Sequence, residues 1–397
     1  MKKHLKRLSV FIASSVLFAC STNPNPSSLS QESHLSTTEA SSQTSSTESE
    51  KDQNVILLET NGELIKNEFE GLWENVAPGG ATVYNNHFYF SVRGRGTNSI
   101  SYTAREYKLD LNNGNLTLIK GYPQSKVRVS DFIEFNGVLY EAITDLQDPS
   151  IRFRILADDI EIWTGFSEPQ FFVVDDHLLF EGVASIEGQK TDVVCRINPD
   201  HSITTLVQSG QDGLGHLFPS PNLSSNRSKV LFTSTKDEKN VYVLVDANGY
   251  EIVEQPNHVI YESLLLEDDI FVAYSDRKTP VVVNGNDGNA NTDNEYVAIS
   301  LSTKEVYPVH SSFKQLGNIA DVTAIDQSIL FHHPKEEGVW KGTLNNQGLV
   351  VRKIPGLEPN RYFYIYPIDE QRALFLGFDD DPEGKGARPI FYLVNIK

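Results

Sequence analysis

Cysteine is nearly absent: the 397 residues hold two, Cys20 and Cys195, beside one methionine and three tryptophans. There is no Cys-x-x-Cys pair and no His-Glu-x-x-His, which excludes zinc ribbons, thioredoxin-type redox centres and the metalloproteases built on that motif. Gly-x-Ser-x-Gly is missing too, which removes the nucleophile elbow of an α/β-hydrolase. A phosphate-cradling glycine loop and a sialidase-type Ser-x-Asp-x-Gly-x-Thr-Trp box are also lacking. Positive charge is scarce, with 34 Lys and Arg against 53 Asp and Glu and a net charge of −19. Such a surface repels polyanions, so no nucleic-acid partner is expected. No apolar run is long enough to span a bilayer: Leu8 to Ala19 is 12 residues, against the roughly 20 that a spanning helix needs. Helical periodicity is absent after residue 54. Cys195, in the strand-like run Asp192-Val193-Val194-Cys195-Arg196-Ile197, reads as a small buried hydrophobe rather than a catalytic thiol.

What is there begins with the amino terminus. Met1-Lys2-Lys3-His4-Leu5-Lys6-Arg7 is a basic leader ahead of the short apolar run, the layout of an export signal. It ends in Leu17-Phe18-Ala19-Cys20, which resembles the lipobox of bacterial lipoproteins. The resemblance implies cleavage before Cys20, acylation of its sulfur and of the new amino terminus, and anchoring by more than one acyl chain. Residues 21–54 are Ser, Thr, Asn, Gln, Glu and Pro with almost no apolar content, and cannot form a core. The expected organisation is a lipoprotein signal peptide over 1–19, a lipidated Cys20 with a disordered tether over 20–54, and one folded domain over 55–397. The protein is expected outside the cytoplasm, held to the outer membrane or to the outer face of the cytoplasmic membrane.

From residue 54 short apolar or alternating runs are broken every ten residues or so by Asn-Gly, Asp-Asp or Pro, the signature of an all-β chain. One unit recurs seven times, a tight turn followed by an apolar triplet: Phe88-Tyr89-Phe90, Val138-Leu139-Tyr140, Leu178-Leu179-Phe180, Val230-Leu231-Phe232, Ile270-Phe271-Val272, Ile329-Leu330-Phe331 and Leu374-Phe375-Leu376. Each has an apolar strand upstream and a second hairpin downstream, such as the one turning at Asn113-Gly114, giving four strands per repeat. Triplets start 40 to 59 residues apart, close to the period of propeller blades. The longest interval holds a polar insertion at 279–294. The expectation is a β-propeller of seven four-stranded blades. Pro389 to Asn395 ends the last blade as a third strand, and Val55-Ile56-Leu57-Leu58 with Glu63-Leu64-Ile65 begin the domain as a hairpin that completes that blade and closes the ring.

Residues 219–249 carry a more specific likeness. Pro219-Ser220-Pro221-Asn222, Lys229-Val230-Leu231-Phe232-Thr233-Ser234 and Asn240-Val241-Tyr242-Val243-Leu244-Val245-Asp246-Ala247-Asn248-Gly249 resemble the repeat of TolB-type propellers. Here the usual compact turn is replaced by Pro221-Asn222-Leu223-Ser224 and a few extra residues. Similar repeats occur in periplasmic binding proteins, in prolyl-peptidase propellers and in some pectin-fragment lyases, so the resemblance implies the fold and not one activity.

Three constellations carry candidate chemistry, all placed by their spacing at loops between second and third strands, on the rim where the interblade loops also lie. Asp287, Asn289, Asn291, Asp293 and Glu295 set an oxygen donor at every second residue, as a calcium loop requires; a solvated polar insertion has the same composition, and both readings stand. Asp379, Asp380, Asp381 and Glu383 crowd the corresponding loop of the last blade, to be relieved by a cation or by water. Arg93 and Arg95 in the first blade and His332 and His333 in the sixth fall at matching loop positions, where the arginines would grip carboxylates or phosphates. The expected function is a binding or scaffold module for a protein or other macromolecule at the cell envelope, attached to the membrane by its lipid. A metal-assisted lyase acting on acidic oligosaccharides, with a carbohydrate as ligand, is the alternative. Replacing Cys20 by Ser should move the protein from the membrane to the soluble fraction and abolish palmitate labelling; fractionation and labelling of the two forms check this.

Overall fold

The computed structural model describes residues 55–58, 65–66, 74–95, 101–122, 126–146, 152–223, 227–256, 259–275, 294–310, 322–332, 338–357, 363–380 and 386–396. Seven small antiparallel sheets form a ring, a seven-bladed β-propeller, and six of them are built from four consecutive strands. Blades 1 to 6 occupy 74–121, 127–165, 170–208, 218–254, 259–308 and 323–353. Blade 7 is the composite one. Its first three strands are Tyr364–Pro367, Arg372–Asp380 and Gly386–Asn395, and its fourth comes from the other end of the chain. Many of the tight turns owe their shape to residues that tolerate positive φ: Asn85 and Asn86, Asn136 and Gly137, and Asp175 and Asp176 all lie at φ between 46° and 80°. A two-residue hairpin loop of the type that matches strand twist requires this at both positions, which is why Asn, Asp and Gly recur there.

Alternation along each second strand is what joins the blades. In blade 1 Phe88 and Phe90 face blade 7 and pack with Leu374 and Phe391, while Tyr89 faces blade 2 and packs with Phe132. Leu179 of blade 3 packs with Val230 and Phe232 of blade 4, whose Leu231 turns to Ile270 of blade 5. Phe271 continues to Phe331 of blade 6, and Leu330 to Phe363 and Phe375 of blade 7. Every second strand therefore carries two apolar seams, one toward each neighbour, because successive side chains of a strand point to opposite faces.

This register corrects two of the triplets. The pairs flanking the turns, Tyr84 with His87 in blade 1 and Phe135 with Val138 in blade 2, align Phe88 with Leu139, so the blade 2 triplet is Leu139-Tyr140-Glu141. In blade 7 Pro367 pairs with Ala373, which makes the triplet Ala373-Leu374-Phe375. A slip of one residue exchanges the two faces of a strand. Its consequence is visible in blade 2, where Glu141 occupies the buried position that Phe90, Phe180, Phe232, Phe331 and Phe375 hold elsewhere.

The ends of the propeller chain meet in blade 7. Val55 to Leu58 pair antiparallel with Val394 to Phe391, completing the four strands as the sequence led one to expect. Instead of forming a hairpin with that segment, Ile65–Lys66 lies further along the same edge, pairing with Ala387 and Gly386. Polar links run between inner strands as well. The buried Asp131 accepts from the Phe171 amide of blade 3 at 2.8 Å and from the Thr82 hydroxyl of blade 1 at 3.3 Å, and Tyr242 of blade 4 bonds Ser263 of blade 5 at 2.7 Å. Phe391 sits fully buried at the closure, with its ring 5.7 Å from that of Phe90 and 6.1 Å from that of Phe88. Phe391→Ala should cost about 3–5 kcal/mol of stability, the usual range for emptying a buried phenylalanine site, and urea unfolding of the two proteins measures it.

Candidate functional site

The turns between first and second strands all open on one face of the disc, around the central axis. Four of them, from blades 1, 3, 4 and 7, wall a cavity of about 770 Å³ lined by Tyr84, Asn85, Asp175, Asp176, Arg227 and the stretch Ile368 to Arg372. Blades 3 and 4 lie across the ring from blades 7 and 1, so the cavity straddles the axis and forms a mouth to the centre. Three of these turns are short, whereas blade 4 spends 224–229 on the same connection. Arg227 of this connection lies at the mouth: its carbonyl accepts the Asp175 amide of blade 3 at 3.0 Å, and its Nη2 donates to the Ile368 carbonyl of blade 7 at 3.3 Å.

Charge at the mouth is unevenly matched. Arg372 clamps Asp369 through Nε at 2.7 Å and Nη2 at 2.6 Å, and also reaches Asn86 of blade 1 at 3.1 Å. Burial works to raise the Asp369 carboxyl, but the Arg372 hydrogen bond and the amides of Gln371 and Arg372 outweigh it and hold the group below its ordinary value. Burial pushes the Arg227 guanidinium down, partly offset by Asp369 and Tyr84. The Tyr84 phenol is pushed up, first by burial and then by Asp176, with Arg227 opposing. Asp175, Asp176 and Glu370 are exposed, and their side chains form no ion pair among the described residues. Sequence reasoning missed this site because Asp and Asn at a tight turn are explained by backbone geometry alone. The signal that was available was an extended connection carrying an arginine in one of seven otherwise similar turns.

The residues singled out by spacing lie on the opposite rim or outside the description. His332 ends the second strand of blade 6, aligned with Ser91 rather than Arg93, and its Nε2 lies 2.9 Å from the Phe363 carbonyl oxygen and 3.2 Å from the Phe363 amide. Arg93 and Arg95 pair through their backbone with Thr103 and Ser101, their side chains being outside the description. Glu295 pairs with Tyr274 in blade 5, again with no side chain described. Cys20, Asp287, Asn289, Asn291, Asp293 and His333 lie outside the described residues, as do Asp381 and Glu383. Among the described residues no group of three or more His, Cys, Asp or Glu is disposed to hold a metal ion. Cys195 is buried beside Thr205, and burial pushes its thiol up to about 11, the setting of an inert packing residue.

No protein-family model and no curated protein matches the chain. Among solved structures it is similar to the polysaccharide lyase Uly1, with a TM-score of 0.53 and 8% identity over 81% of this chain and 91% of that one. A post-proline cleaving enzyme from Rickettsia typhi gives 0.48 and 13% over 81% and 52%. The β-propeller domain of the trilobed protease from Pyrococcus furiosus gives 0.42 and 10% over 81% and 96%. At such identities the likeness to Uly1 is one of fold.

A second cluster of ionisable groups lies between blades 1 and 2. Glu106 and Glu141 are both fully buried, and the Tyr122 hydroxyl stands between them, 2.8 Å from Glu106 Oε1 and in contact with Glu141 Oε1. Lys120 bonds both Glu141 oxygens, at 3.0 and 2.8 Å, and Asp159 at 2.8 Å. One hydroxyl proton cannot serve two carboxylates, so one acid must keep its own proton. Burial, and then the charge of Glu141, raise Glu106 to about 8 and make it that acid. Glu106 Oε2, buried without a hydrogen-bond partner, fits a neutral carboxyl. The folded chain therefore holds a proton that the unfolded chain releases near the ordinary carboxylate range. Stability from this group is complete at acid pH and is lost as pH rises through about 8. Glu106→Gln should flatten the fall in melting temperature between pH 5 and 9 and leave the variant the more stable at the alkaline end; thermal melts across that range check it.

Proposed function

We propose that the protein is an exported, lipid-anchored binding module that uses the turn-lined mouth of its propeller to engage part of a macromolecular partner at the cell envelope. The observation that carries this reading is the cavity of about 770 Å³ walled by four blades, where the exposed Asp175, Asp176 and Glu370 form no ion pair among the described residues. A rigid ring that converges short turns on one concavity is a suitable holder for a protruding polar segment, since the turns are ordered before the partner arrives. The lipobox-like Leu17-Phe18-Ala19-Cys20 and the polar stretch after it support placement at a membrane surface, with slack for the domain to reach a partner. The alternative, an enzyme acting on acidic oligosaccharides, draws only on the propeller framework shared with the lyase. His332, which would have served its site, is engaged by the backbone of Phe363.

A photo-crosslinking residue at Gln371, exposed at the mouth, should give an adduct in membranes carrying the full lipoprotein. The same residue at Leu118, half-exposed on the outer strand of blade 1, should give none. Adducts from position 118 alone, or from neither, would count against the mouth as the binding face.

A further inference from the structure

We propose that Arg227 is a built-in occupant of the mouth, standing where a guanidinium or ammonium side chain of a protein partner binds, a proposal that rests on the mouth being the binding site. Three features of Arg227 point this way. Its main chain is held in the left-handed region, at φ 56°, and is tied to blade 3 through the Asp175 amide. From there the side chain crosses to the Ile368 carbonyl of blade 7, as far from blade 4 as a blade of this ring can be. A guanidinium has five N–H donors, and this one, half-buried, makes a single hydrogen bond among the described residues. A cation so placed is weakly held, and a better-hydrogen-bonded cation can displace it.

The mouth is also more acidic than Arg227 can neutralise. With Asp369 and Arg372 paired to each other, Asp175, Asp176 and Glu370 remain against one guanidinium, so the lining keeps a negative excess with Arg227 in place. Lining charge of that sign favours a cationic ligand and opposes an anionic one. The space suits more than a single ion, and Tyr84 together with the Ile368 carbonyl offers an aromatic ring and an acceptor to an arginine or lysine side chain carried on a peptide. Arg227 is thus an intramolecular competitor: a partner's cation gains the Ile368 carbonyl and the neighbouring carboxylates that line the mouth once the arginine swings aside.

The test is calorimetric titration of the full lipoprotein in detergent at low salt with tri-arginine amide, and with tri-glutamate as the opposite-charge probe. Arg227→Gln removes the charge and keeps a polar amide of shorter reach, and its melting curve shows whether the fold is intact; Arg227→Ala is the second variant. Tri-arginine should bind the wild type weakly and either variant roughly five- to tenfold more tightly, the effect of removing one like charge near the site. The double variant Asp176→Asn with Glu370→Gln should weaken it by a similar factor. Unchanged or weaker binding by Arg227→Gln overturns the proposal, and tri-glutamate binding that is lost with Arg227 would make the arginine an anchor for anions instead. Absence of tri-arginine binding to every form also overturns it, and leaves the binding-mouth reading to be judged separately by the crosslink from position 371.

Discussion

The structure depends on apolar side chains pointing to both faces of each blade's second strand. A four-stranded sheet of this size cannot bury either face by itself, and stacking blade against blade buries both at once. The arrangement has no natural end, since each blade needs two neighbours, and only a ring gives every blade both. Pairing of Val55–Leu58 with the last strand is the local expression of that need, because it fuses the first and last parts of the domain into one sheet. It also covers the strand edge that an open ring would expose.

Against this apolar rule the interface of blades 1 and 2 stands out. Glu141 takes the place that phenylalanine fills in five other blades, and a buried acid at that place is tolerable only with partners. Tyr122, Lys120 and Glu106 supply them from blade 1, and the surplus negative charge is removed by keeping Glu106 protonated. The same packing that makes the ring also makes this site titrate in an unusual range. A buried polar network of this kind contributes less to stability than an apolar seam, since its charges must be desolvated before they pair.

At the mouth the ring contributes geometry rather than burial. Each first turn is shaped by its own strand pair, yet seven strand pairs converge on one axis, so side chains chosen for turn propensity become neighbours across the channel. Asp175 and Asp176 of blade 3 meet Glu370 of blade 7 in this way. Arg227 enters because one connection is longer than the turns it faces, and a side chain able to cross the axis was placed on it.

All-β class, four-stranded repeats, their number and the closure of blade 7 were legible in the sequence, because strand alternation and turn chemistry are local properties of adjacent residues. The triplets of blades 2 and 7 were displaced by one position for the same reason: Val138 and Leu139, or Leu374 and Phe375, are equally apolar, and only pairing across the hairpin decides which face each takes. Candidate site residues chosen by spacing fell on the opposite rim or outside the described residues. The mouth could not be read, since its members are separated by up to 288 positions, from Tyr84 to Arg372, and nothing local relates them. The sequence by itself determined the strands, their turns and the ring they must make; tertiary structure alone decided which turns face one another and where Arg227 comes to rest, because those relations arise only when the ring closes.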